Sequence, residues 1–257
     1  MTISIAPTLE NNCSLLEPDN STYCTLQWRR NQLLVKSSGA IKQPYMPLLN
    51  NHESLKECLQ HSSVKLVRID SNLGEEKVKL WADACRSASK PIYLRISAVK
   101  KQSKLNSSLL WWLKRLTEWM IASVILSLLS PLMLLLALLI KIDTKAPLFE
   151  HTWHVGEKGK LFKLIKYRTI FVNQNREKNT TQLASWMRKY GLNNLPQLLN
   201  VLRGEMGLFG CRCWTLEDAV RLASEAQKQL NYLPGITGSW EVEPEQANIL
   251  HLDSQTS

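Results

Sequence analysis

The side chains best equipped for chemistry in this sequence are six cysteines, a few histidines and a large surplus of cations. Cys211 and Cys213 stand one residue apart, with His151 and His154 far upstream; thiolate and imidazole together are the ligands that hold zinc in closed tetrahedral sites. No second cysteine pair stands at zinc-ligand spacing, so two packed thiols are the favoured reading. The other cysteines, Cys13, Cys24, Cys58 and Cys85, are scattered through a chain that opens without a basic, then apolar, leader. They are expected to be reduced and intracellular. Lys and Arg number 32 against 22 Asp and Glu, a formal charge of +10. That excess favours partners carrying phosphate: nucleic acid, an anionic membrane surface, or a nucleotide sugar and a lipid phosphate. Charge alone does not choose among them.

The elements that must position such groups fall into two parts, within a length that suits one fair-sized domain and a smaller one. Residues 1–62 mix polar and apolar types and carry one strand-like run from Tyr23 to Val35, so a variable or partly disordered region is expected there. Over 63–97 the pattern predicts a βαβ unit: a strand Val64–Asp70, an amphipathic helix Gly74–Ala88 with Val78, Trp81, Ala82 and Cys85 on one side, and a strand Pro91–Ile96. One such unit cannot bury both faces of its sheet, so it must pack on further strands or on the later domain. No glycine-rich phosphate loop follows Asp70, which argues against a nucleotide there and for scaffolding or partner contact. A basic, polar linker over 98–112, with Lys100, Lys101 and Lys104, leads into a second domain over 113–257.

From Trp119 to Ile140 there is no charge, and as a helix this run is about 33 Å long, comparable with the hydrocarbon core of a bilayer. A soluble helix of that length would show a polar stripe, whereas only serines interrupt this one. Two features argue against crossing. Pro131 sits near the middle and favours a kink. Basic residues flank both ends, with Lys114 and Arg115 before and Lys141 and Lys145 after, where a spanning helix usually shows asymmetry. The expectation is a re-entrant hairpin over 116–142, bent at Ser130-Pro131, with Trp111, Trp112 and Trp119 near the headgroups.

Several blocks then resemble one family. Lys114-Arg115, Ser130-Pro131, Leu138 to Asp143, Ala146 to Phe149, His154-Val-Gly156, Gly159 to Thr169, Leu192 to Gly210, Arg212 and Pro234 to Trp240 follow, in order, the bacterial sugar transferases that act on polyprenyl phosphate. The fold class this implies is α/β, a small βαβ unit followed by a mostly helical, membrane-embedded domain. The reaction it implies moves a sugar-1-phosphate from a nucleotide-diphosphate sugar to undecaprenyl phosphate and releases a nucleoside monophosphate, with magnesium. It also implies the cytoplasmic face of the inner membrane, monotopic attachment, and other polysaccharide-assembly proteins as partners. A nucleic-acid partner would explain the charge but not the apolar segment.

By position, the resemblance makes Lys166, Arg168, Arg188 and Arg212 the phosphate-binding cations, a task suited to the planar fork of arginine. The family's catalytic Asp-Glu pair falls on Asn193 and Asn194. A carboxamide is a poor nucleophile and a weak ligand for a hard cation, so the chemistry of these two positions is degenerate and magnesium is in doubt. His151, His154, Cys211, Cys213 and Leu233 also depart from the family pattern. Locally, Pro196 suits the first turn of a helix Asn194–Leu202 with Asn193 as cap, and Thr215 to Asp218 reads as a capping box opening a helix toward Leu230. The reading is therefore a sugar transferase-like protein of exopolysaccharide biosynthesis. Its alternative is a catalytically inactive membrane scaffold or partner of an active transferase.

Overall fold

The computed structural model describes residues 24–37, 51–96, 108–143, 147–172, 178–179, 181–222 and 226–238. Most of the expected linker, the basic side chains at 100, 101, 104 and 145, and Trp240 lie outside the described residues.

Strands β1 (Cys24–Arg29) and β2 (Gln32–Ser37) form an antiparallel hairpin with Arg29 opposite Gln32. The two residues between them, Arg30 and Asn31, both take positive φ, 43° and 64°, the backbone that a two-residue hairpin turn demands. The single strand-like run is thus two strands. Helix α1 (His52–His61) starts from Asn51, whose side chain accepts the Glu53 N–H. The predicted βαβ unit follows as β3 (Leu66–Asp70), α2 (Glu75–Ser87) and β4 (Ile92–Arg95). The four strands lie in the order β1-β2-β3-β4, parallel from β2 onward. Part of the region expected to be variable therefore completes the sheet, and Val78, Trp81, Ala82 and Cys85 of α2 are buried as the periodicity required.

Helix α3 (Ser108–Asp143) runs unbroken through Pro131, with no turn between two arms of the expected hairpin. The reason is local. A proline leaves the carbonyl four residues back without its donor; here the Ser130 hydroxyl donates to that carbonyl, Ser127 O, at 2.8 Å. One face of α3 is buried at Arg115, Glu118, Ala122, Leu136 and Ile140, while Val124, Leu128, Leu134 and Leu138 are more than half exposed.

Strands β5 (Phe149–Val155) and β6 (Leu161–Tyr167) pair antiparallel, Phe149 opposite Tyr167. A short pair, β7 (Phe171–Val172) and β8 (Lys178–Asn179), precedes α4 (Gln182–Lys189), capped by Thr181. Then come a 3-10 turn at Leu192–Asn194, α5 (Gln197–Leu202), β9 (Gly207–Phe209), α6 (Leu216–Arg221) and β10 (Gly235–Thr237), which lies parallel to β9. Thr215 caps α6 as expected, its Oγ1 accepting the Asp218 N–H, but the helix stops at Arg221 rather than near Leu230. Strands are more frequent in this half than the mostly helical expectation.

The two halves share one core: Leu33, Val67, Ile69, Trp81 and Leu94 pack in the same cluster as Trp153, Val155, Leu161, Leu216 and Leu230. At the join, Tyr93 of β4 bridges to Lys160. Gly159 beside it has φ +80°, and a Cβ there would stand 2.4 Å from Leu94 O. Only glycine permits that approach.

Candidate functional site

Strand β6 is the backbone of the site. Asn200 of α5 is fully buried and ties the helix to it: its Oδ1 accepts the Ile165 N–H at 3.1 Å, and its Nδ2 donates to Lys163 O at 2.9 Å and to Glu205 Oε2 at 2.6 Å. A buried amide with each of these bonds made fixes position and leaves no desolvation penalty. On the other side, α3 lies along the same strand. Ala122 packs with Phe162, Leu164, Val201 and Met206, and further on Leu136 and Ile140 pack with Tyr167 and Met187. The Tyr167 hydroxyl donates to Met133 O at 3.0 Å. The apolar helix and the basic strand are one assembly.

Lys166 stands on β6 opposite Glu150, and Arg168 follows one residue past the strand, its N–H donating to Leu148 O at 3.0 Å. The turn holding Asn193 and Asn194 packs against β6 and α4. Asn194 Oδ1 accepts from Gln197 Nε2 at 2.9 Å. The helix beyond begins at Gln197, with Pro196 at its cap position and no side-chain capping bond, so Asn193 is not the cap that the sequence suggested; the intervening residues turn as 3-10 and single helical positions instead. Lys166 lies within electrostatic range of Cys213, in the segment after β9, and of His154 on β5. Arg188, at the end of α4, and Arg212 are exposed, the latter with its guanidinium 4.8 Å from the centroid of Trp214. Lys166 thus lies on β6 with the asparagine turn packed against that strand, while Arg188 and Arg212 are exposed.

Burial pushes the Cys213 thiol up to about 12 and raises Cys211. His154 is moved the other way, to about 4, first by burial and then by Lys166, against a hydrogen bond to Thr152 O and the charge of Asp218. Its ring is neutral at physiological pH.

Magnesium requires anionic oxygens in an octahedral set. The dyad positions offer two carboxamides, one already engaged with Gln197. Of the carboxylates in this half, Glu205 accepts from Asn200, Asp218 Oδ2 accepts from the Thr215 hydroxyl at 2.7 Å, and Glu150 of β5 stands across from Lys166. Among the described residues no group of three or more His, Cys, Asp and Glu is placed to hold a metal. These residues do not fit the ion.

The feature that the sequence left unread is a buried ion pair at the start of α3. Arg115 meets Glu118 at 3.0 Å, donates to Met206 O at 3.0 Å and lies over Trp119, and Lys114 reaches the same carboxylate at 3.8 Å. The i, i+3 spacing of Arg115 and Glu118 was the available signal.

Comparison with known sequences identifies the class of protein to which this helix, strand and turn belong. The chain belongs to the bacterial sugar transferase family, whose profile matches residues 109–256, more than half of it. It is 31% identical over 186 residues to the exopolysaccharide production protein ExoY of Rhizobium meliloti, covering 62% of this chain and 79% of that one. With ExoY of Sinorhizobium fredii the identity is 33% over 154 residues, 50% of this chain and 68% of the relative. With the UDP-glucose:undecaprenyl-phosphate glucose-1-phosphate transferase of Klebsiella pneumoniae it is 31% over 137 residues, 49% of this chain but 30% of the relative. The chain therefore spans only about a third of the longer relatives.

Proposed function

We propose that this protein works in exopolysaccharide biosynthesis at the cytoplasmic face of the inner membrane, binding a nucleotide-diphosphate sugar and a polyprenyl phosphate. The observation that carries this is the packing of α3 along β6. An apolar helix from Trp111 to Ile142 is long enough to cross a membrane, yet its buried face touches one protein body from Arg115 to Ile140. A crossing helix would leave that body. This one enters a single leaflet with its exposed leucines in lipid, which brings a lipid phosphate to the level of Lys166 and Arg168.

The family reaction breaks the diphosphate of the sugar nucleotide, joins the sugar-1-phosphate to the lipid phosphate and frees a nucleoside monophosphate. Lys166, Arg168, Arg188 and Arg212 neutralise the phosphates that meet there. A second reading rests on Asn193 and Asn194: without the carboxylate pair the protein holds both ligands as a scaffold for an active transferase and other assembly proteins. Domain 113–257 binds the ligands in either reading, while the 63–97 unit, joined through the 98–112 linker, braces it. The test is to incubate the purified full chain in detergent with labelled nucleotide sugars and undecaprenyl phosphate. Labelled lipid establishes turnover, binding without product establishes the scaffold, and binding of neither ligand refutes the proposal.

A further inference from the structure

The N-terminal sheet precedes the matched family region and carries a basic pocket of its own. Helices α1 and α2 pack together beside the sheet, and Leu33, Val35, Val67, Ile69, Ile92 and Leu94 are buried on one of its faces. Alternation puts the intervening residues on the opposite face. By register, Arg29 pairs with Gln32, Leu34 with Arg68, and Asp70 with Arg95, so three arginines from three strands share that face. All four of Arg29, Gln32, Arg68 and Arg95 are exposed, and they line one open concavity of about 220 Å³ in which Leu34 shares their face.

Several cations that serve the fold are paired with a carboxylate. Lys163 has Asp83, Arg115 has Glu118 and Arg221 has Glu217. In the pocket only Arg95 has a carboxylate, Asp70 at 3.5 Å; among the described residues Arg29 and Arg68 have none. Two uncompensated guanidiniums beside a third repel one another, and an anion seated between them removes that repulsion while gaining paired N–H donors. Small-molecule sites generally begin at about 300 Å³. This one is below that, the size for a phosphoryl or diphosphoryl group rather than a whole nucleotide sugar.

We infer that Arg29, Arg68 and Arg95, with Gln32, form a second anion site, separate from the β6 site, that takes the phosphate or diphosphate of a phosphorylated molecule. The phosphate comes from a soluble metabolite or a phospholipid headgroup, and Leu34 on the same face is compatible with either. Since α2 and β4 are joined to β5 and β6 through Asp83 and Lys160, the site is placed to report on the transferase domain.

The experiment uses the full chain in detergent, titrated with inorganic pyrophosphate and followed by calorimetry and by hydrogen exchange of peptides covering 66–70 and 92–95. Wild type should bind saturably and protect both peptides. Arg29→Gln combined with Arg68→Gln should weaken that protection at least tenfold, while Arg212→Ala leaves it unchanged. Circular dichroism of the double variant checks that the sheet is intact, and Arg68→Lys should retain part of the binding if the fold is kept. Adding vesicles of phosphatidylcholine alone or with phosphatidylglycerol separates the sources: protection by the anionic vesicles assigns a headgroup, and protection by pyrophosphate but neither vesicle assigns a soluble ligand. No saturable protection by any probe, or protection equal in the double variant, overturns the inference.

Discussion

Asp83 of α2 holds Lys163 of β6 at 2.7 Å across the join between the N-terminal sheet and the transferase domain. The same Oδ1 accepts the Trp153 indole N–H at 3.2 Å, and the Lys163 ammonium lies 5.0 Å from that ring's centroid. One carboxylate therefore organises two residues on neighbouring strands of the site's hairpin, from an element that the family match does not include.

Asp83→Ala should lower the unfolding free energy by about 1–2 kcal/mol, the usual loss for a charge-assisted hydrogen bond in a partly exposed setting. Asp83→Asn, which keeps an acceptor for Trp153 and loses the ion pair, should fall between. Denaturant titration of the full chain measures both. Equal stability of all three proteins would mean that the join rests on the apolar core alone.

Much of this was legible, and the reasons differ by element. The βαβ unit was readable because its helix repeats at 3.6 and its strands are bounded by turns, as Val78, Trp81 and Cys85 illustrate. The hairpin before it was not, since Arg30-Asn31 lacks the glycine that usually marks such a turn. Helix α3 announced itself by composition, but Ser130 closing the gap left by Pro131 is a side-chain effect that no hydropathy pattern reports. Arg115 and Glu118 resemble ordinary flanking charges until Met206, far along the chain, supplies the acceptor. Asn200 is the same case: its partners Lys163 and Ile165 come from another element. The positions proposed for phosphate binding came from motif order, and periodicity would not have found them.

His154 gives the fold a pH dependence. Its folded value of about 4 lies below the ordinary 6.5, so between these limits the unfolded chain binds the extra proton. Stability is complete above about pH 6.5 and falls as the pH drops toward 4, by on the order of 3 kcal/mol in full. His154→Gln should flatten that slope. The measurement is the denaturant midpoint at pH 7.5 and pH 5 for both proteins; identical slopes would remove His154 as the cause.

Helix α3 should hold the protein to one side of the membrane. In a cysteine-free background, single cysteines at positions 104 and 145 should both resist a membrane-impermeant thiol reagent added outside intact cells. Pro131→Leu, which restores the N–H that the Ser130 hydroxyl now replaces at Ser127 O and so favours a continuous span, should expose one of them. Labelling of one position in the unaltered helix would make it a true span.

Arg188→Ala and Arg212→Ala should each weaken binding of a nucleotide sugar or of undecaprenyl phosphate several-fold. What binding remains should decline as salt rises, because both guanidiniums are exposed and screened. If neither variant changes affinity, these two arginines are surface charges and the phosphate site reduces to Lys166 and Arg168.

The last expectation concerns the asparagine pair. An amide oxygen carries no full negative charge to attack phosphorus, and Asn194 already spends its Oδ1 on Gln197. No phosphoryl-enzyme should therefore form at either position. Loss of a catalytic group in other covalent enzymes lowers the rate by roughly a millionfold, which puts turnover by that route near background. A direct attack by an oxygen of the lipid phosphate on the sugar-bearing phosphorus, expelling the nucleoside monophosphate, needs no protein nucleophile and would still benefit from the basic site. Asn193→Asp combined with Asn194→Glu separates the two. Transfer that appears only in the double variant, together with an acid-stable, hydroxylamine-sensitive phosphoryl-protein, shows that this chain kept the site and lost the nucleophile. Equal transfer by both proteins, with no phosphoryl-protein in either, would show that another route carries the reaction and that the asparagines are compatible with it.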